Sequence, residues 1–160
     1  MIATCNAFLT GAMLIGRDPV RLFAVADTKD DQYLLRSLID RSGLDADIIE
    51  TLMQGQHFNL RDLHVDVIVH AAGSFHAAND YIEKVALPAD LPIVSISDVP
   101  VMGLQDTTSR SHVKRLFKTG LTPELLGSVV LDTRLEHRTQ TSHKVKSDHW
   151  QPDFAPVSVH

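Results

Sequence analysis

The run Asp66-Val67-Ile68-Val69-His70-Ala71 limits the fold more than any other feature of the chain. It is almost continuously apolar and β-branched, with no alternation of apolar and polar positions. A strand of that kind is buried on both faces, which is the situation of a parallel sheet covered by helices. It stops at Ala71-Ala72-Gly73. Two further runs share its character, Arg21-Leu22-Phe23-Ala24-Val25-Ala26 ending at Asp27, and Pro92-Ile93-Val94-Ser95-Ile96-Ser97. Asp45 to Met53 suits a further strand, although Ala46-Asp47-Ile48-Ile49 would also suit a helix.

Helical patterns fill the intervals. From Asp30 to Ser42 the residues Tyr33, Leu34, Leu35, Leu38 and Ile39 gather on one side of a helix that Gly43 can stop. Thr28 followed by Asp31 forms the aspartate version of a capping box. A helix is expected over Ala77 to Val85, burying Ala78, Tyr81, Ile82 and Val85. Thr122-Pro123-Glu124 opens another: a hydroxyl cap, a proline in the first turn and a carboxylate at the positive end of the dipole. Its expected apolar face is Leu125, Leu126, Val129 and Val130. Strands alternating with helices predict an open parallel α/β sheet with helices on both faces. In such a sheet Asp27, Ala71 and Ser97, each closing a strand, fall at one edge.

Composition then excludes several classes. At 160 residues, with 44% hydrophobic and 22% charged, the chain has material for one core and little for a second. No apolar run approaches the roughly 18 residues of a membrane span. The apolar stretch Ala7 to Gly16 has no basic flank before it, unlike a signal peptide. One cysteine, Cys5, excludes an intramolecular disulfide, and a net charge of -5 argues against broad nucleic-acid binding. The expectation is a cytoplasmic chain with an N-terminal extension (1–19), a central domain (20–135) and a polar tail or linker (136–160), where Pro152 and Pro156 discourage regular structure.

The order and spacing of the strand ends resemble the receiver domains of bacterial response regulators over about residues 20 to 135. Leu22 to Asp27 resembles their first strand, Asp66 to Ala71 their third, Pro92 to Ser97 their fourth, and Leu116 to Leu126 their last strand and the start of their last helix. The resemblance implies a sheet of five parallel strands and a phosphorylation pocket made of Asp27, Ala71, Ser97 and Thr119. It also shows that pocket as degenerate. Ala26 stands where a second acidic residue would help hold magnesium, and Ala71 stands at the phosphoryl-acceptor position with no nucleophile. Thr119 occupies the lysine position, while Lys118, one residue early, is expected to point to the opposite face and into solvent. Only Ser97 matches the pattern.

The resemblance therefore implies a non-enzymatic domain for regulation and protein interaction in bacterial signalling or assembly localisation. Degenerate receivers of this type stand at the N-terminus of pilus-assembly localisation ATPases and of enhancer-binding activators, before a downstream effector domain. The expected interaction face spans residues around Val113 to Leu131, including Arg115, Phe117, Lys118 and Leu126, and suits a homodimer or a protein partner. The intervening segment Pro100 to Ser111 is expected to form a short or unwound fourth helix. No cofactor and no metal are expected. The competing reading is a small α/β enzyme, or a metal- or nucleotide-binding protein, using His70, His76 and Ser97 at the strand ends. Ala71-Ala72-Gly73-Ser74 is a weak phosphate-cradle candidate, lacking the lysine of a P-loop. Arg110, Lys114, Arg115 and Lys118 form a basic cluster that suits an acidic partner or plain solvation.

Overall fold

A computed structural model describes residues 18–52, 60, 62–99 and 112–149. In chain order the elements are β1 (Val20–Ala26), α1 (Lys29–Arg41), β2 (Ala46–Leu52), β3 (Val67–Ala71), α2 (Phe75–Tyr81) and a π-helical turn (Ile82–Ala86). Then come α3 (Leu87–Ala89), β4 (Ile93–Ser97), β5 (Val113–Phe117) and α4 (Pro123–His149). All four strand pairings are parallel, in the order β2-β1-β3-β4-β5. That is the flavodoxin-like order, whose reversal of direction between β1 and β3 opens a crevice at the carboxyl ends of those strands.

Side-chain alternation along the strands divides the core in two. Leu22, Ala24 and Ala26 of β1 and Val67, Val69 and Ala71 of β3 pack with Leu35, Leu38 and Ile39 of α1 and Leu126 and Val130 of α4. The intervening residues Phe23, Val25 and Ile68 pack with Tyr81, Ile82 and Ala86. Alternate residues of the central strands thus pack with different helices, and β3 and β4 are buried at every position. Among the described residues no helix is long and apolar enough to cross a membrane.

The helix ends follow their local chemistry. The Thr28 hydroxyl accepts from the Asp31 amide at 3.1 Å and donates to the Asp31 carboxylate at 2.9 Å. The box thus closes through the two side chains. Gly43, at φ +75°, takes the left-handed turn after α1 that costs other residues roughly 1 kcal/mol. Thr122 accepts from the Leu125 amide at 3.2 Å at the start of α4.

Three expectations need correction. The helix placed at Ala77 begins two residues earlier, capped by the Ser74 hydroxyl, and widens into the π-helical turn. Pro88 accounts for the widening: its ring would clash with the Lys84 carbonyl four residues back, and the wider turn relieves that contact. The polar stretch expected as a linker after residue 135 instead continues α4 to His149. The hydroxyls of Thr133, Thr139, Thr141 and Ser142 each donate to the carbonyl four residues back, at 2.6 to 2.9 Å, so the polar residues do not interrupt the helix. Leu126, expected on an exposed face, is fully buried between α4 and the sheet. The segment Pro100 to Ser111, Arg110 within it, most of the N-terminal extension and the end of the tail lie outside the described residues.

Candidate functional site

Asp27 leaves the tip of β1 at the crevice between β1 and β3. Its backbone amide donates to the Ala71 carbonyl at 3.1 Å, so the two expected pocket positions are neighbours through the main chain. Their side chains diverge. The Ala71 methyl is fully buried in the layer beneath α1 and α4. The residue that meets Asp27 is His70, on the opposite face of β3, with Nε2 at 2.8 Å from Asp27 Oδ1. The second carboxylate oxygen accepts from the Gly73 amide at 2.8 Å.

His70 is fully enclosed, its ring against that of Tyr81 at 4.3 Å between centroids. Burial, and then the nearby Asp27 charge, push the Tyr81 hydroxyl well above its ordinary value. Burial alone would raise the Asp27 carboxyl too. The His70 and Gly73 hydrogen bonds, with the electrostatic influence of His70 and Lys118, outweigh it and hold Asp27 below the usual carboxylate range. His70 stands in register with Ser95 on β4. The His70 Nδ1 and the Ser95 hydroxyl are both buried and find no hydrogen-bond partner among the described residues.

Across the crevice sits a second pair. Lys118 Nζ lies 2.8 Å from Asp31 Oδ1, with side chains 23% and 9% exposed. The expectation of a solvated Lys118 on the far face is corrected here. β5 ends at Phe117, so strand alternation no longer fixes the direction of residue 118, and the lysine folds back onto the first turn of α1. Thr119, at the position where the resemblance wants lysine, is exposed. Ser97 is buried at the end of β4, its hydroxyl donating to the Asp98 carbonyl at 3.2 Å, and its own carbonyl accepts from the Lys118 amide.

The remaining sequence candidates disperse. His76 is exposed on α2 and lies 3.8 Å from Asp80. Arg115 lies over the Phe75 ring at 4.8 Å and donates to Asn79 at 2.5 Å, while Lys114 pairs with Glu136 at 3.0 Å. The described members of the basic cluster thus have partners within the chain. Phe117 stays 36% exposed at the end of the edge strand. The Gly73 amide of the phosphate-cradle candidate is taken by Asp27, and the Ser74 hydroxyl caps α2.

Magnesium does not fit these donors. It wants octahedral oxygen ligands, yet both Asp27 oxygens face hydrogen-bond donors and the Asp31 oxygens are held by Lys118 and Thr28. Among the described residues no group of three His, Cys, Asp or Glu gathers as a metal centre requires. No protein-family model matches the sequence, and no curated protein is similar enough to count as a relative.

Proposed function

We propose that this chain is a non-enzymatic regulatory and protein-interaction module, a receiver-like domain without phosphoryl chemistry, serving bacterial signalling or the localisation of an assembly. The observation that carries the reading is the occupancy of the strand tips. Asp27 is held by hydrogen bonds to His70 and Gly73 and Asp31 by Lys118, and the end of β3 supplies a buried methyl where a nucleophile would be needed. A crevice whose carboxylates are already occupied has little left with which to bind and cleave an acyl phosphate. What it has instead is rigidity, because each pair ties two elements together.

On this reading the surface carries the function. Phe117 at the exposed edge strand and the adjoining side of α4 form the docking face, toward a second copy or another protein. The enzyme reading is less well supported. The Asp27–His70 pair resembles a catalytic dyad, but His70 is sealed beneath Tyr81 and its other nitrogen faces the interior.

The test is incubation with acetyl phosphate, and separately with beryllofluoride, each with magnesium. Intact mass and amide chemical shifts are the readouts. The expected result is no covalent adduct and no shift change at Asp27, Ser97 or Lys118. A phosphorylated aspartate, or a saturable beryllofluoride response at those residues, would overturn the proposal.

A further inference from the structure

A cavity stands at the edge of the sheet away from the Asp27 crevice. It measures about 490 Å³ and is lined by Asp18, Arg21, Asp47, His64, Asp66 and Arg138. Several parts of the chain meet there. Arg21 of β1 and Asp47 of β2 stand in register with each other, His64 and Asp66 precede β3, and Arg138 belongs to α4. The volume is that of a small-molecule site. Its charged lining excludes an apolar occupant, which would strip water from those groups and offer no hydrogen bond in return.

The charges are not all engaged within the protein. Asp66 accepts from the Arg21 amide at 3.1 Å and faces Arg134 at 3.9 Å and Arg138 at 3.6 Å. The Asp18 and Asp47 carboxylates and the Arg21 guanidinium differ: among the described residues none of these groups has a hydrogen bond or an ion pair. Anionic groups on Asp18 and Asp47 and a cationic one on Arg21 therefore line the cavity without partners. Their complement is a molecule with two cations and one anion.

The geometry points to a binding site for a free dibasic amino acid of the lysine or ornithine kind. Its carboxylate meets Arg21, whose planar fork suits that group, and its two ammonium groups meet Asp18 and Asp47. The site shares no residue with the strand tips, so the proposal stands whether or not the receiver reading does.

The test is a titration of the full, isotope-enriched chain with L-lysine at constant ionic strength, read by amide chemical shifts. The expected result is saturable shifts at Arg21, Asp47, His64 and Asp66 with a Kd of about 1 mM or below, and none at Asp27 or Ser97. Two analogues divide the charges: cadaverine lacks the carboxylate, and L-norleucine lacks the side-chain ammonium. Each should bind about tenfold more weakly, the weight of one charge-assisted hydrogen bond. Arg21→Gln, at an exposed position that leaves the fold intact, should weaken lysine about tenfold and leave cadaverine unchanged. Failure to saturate, equal affinity for lysine and cadaverine, or an Arg21→Gln variant that binds lysine like the parent would each overturn the proposal. Equal affinity would reduce the cavity to an acidic patch.

Discussion

Replacing Asp27 by Asn keeps the size of the side chain and removes its charge, so it isolates what the strand-tip pair contributes. The carboxylate now accepts two hydrogen bonds, from His70 and from Gly73. An asparagine offers one oxygen. With that oxygen toward His70, its amide nitrogen meets the Gly73 amide donor to donor, and Gly73 must turn to solvent. The His70 bond falls from charge-assisted to neutral, a loss of about 1 kcal/mol, and the Gly73 bond contributes about 1 kcal/mol more. The sum, about 2 kcal/mol at neutral pH, is roughly a 30-fold change in the folding equilibrium. For a chain of this length it lowers the melting temperature by about 4–8 °C. The pH dependence is the sharper readout. Asp27 is held below its ordinary value, so the unfolded chain takes up this proton first as the medium is acidified. The contribution is complete above about pH 5 and is lost as the pH falls through the folded value. Urea titrations of both proteins from pH 7 to the acid limit of folding should show the gap closing in acid. A gap that stays constant with pH, or none at pH 7, would refute the argument that charge at Asp27 holds the tip together.

Two other substitutions probe neighbouring contacts. A double-mutant cycle on Lys118→Met and Asp31→Asn should give a coupling of about 1–2 kcal/mol, discounted from a fully buried pair because Lys118 remains partly in solvent. Additive single effects in denaturant titrations would mean the pair holds nothing. Ser95→Ala removes a buried hydroxyl with no partner among the described residues and should raise stability by about 1 kcal/mol in the same assay. A clear loss would show that the hydroxyl is satisfied after all.

Three strands were legible because the runs Arg21 to Ala26, Val67 to Ala71 and Ile93 to Ser97 are short, apolar and bounded by turn residues. Two helices announce themselves with Thr28-Lys29-Asp30-Asp31 and Thr122-Pro123-Glu124. β2, with Asp47 and Glu50, and β5, Val113-Lys114-Arg115-Leu116-Phe117, carry too many charges to stand out alone. The site was half legible. Asp27 and Ser97 follow from strand ends alone, and they stand where such ends belong. His70 was visible as a residue without its role, since its pairing with Asp27 joins positions 43 apart and no local pattern encodes that. Face parity contained a clue: Ala71 shares its face with Val67 and Val69, so the side chain aimed toward Asp27 had to be residue 70. Lys118 is the reverse case, because strand parity does not extend one residue past the end of β5 at Phe117. The polar half of α4 was hidden by composition. Serine and threonine look like linker residues until their hydroxyls are seen folded back on the helix carbonyls.

That helix reaches well beyond the sheet it packs on. Its 27 residues span about 40 Å, roughly twice the length of strands of five to seven residues. Leu126 and Val130 seat its first half on the sheet. Arg134 then bonds Asp18, Glu136 pairs with Lys114, and Arg138 lies 3.6 Å from Asp66, all at the edge of the sheet opposite the Asp27 crevice. Beyond Arg138 the described side chains through Lys144 are exposed, and the helix runs on past that edge. A helix fastened at three points has a fixed direction relative to the sheet. The Lys118–Asp31 pair, just before the start of α4, adds a tie at the other end by joining that turn to the first turn of α1. The contacts that orient α4 thus lie at both ends of the strands, and substitutions at either end should loosen it.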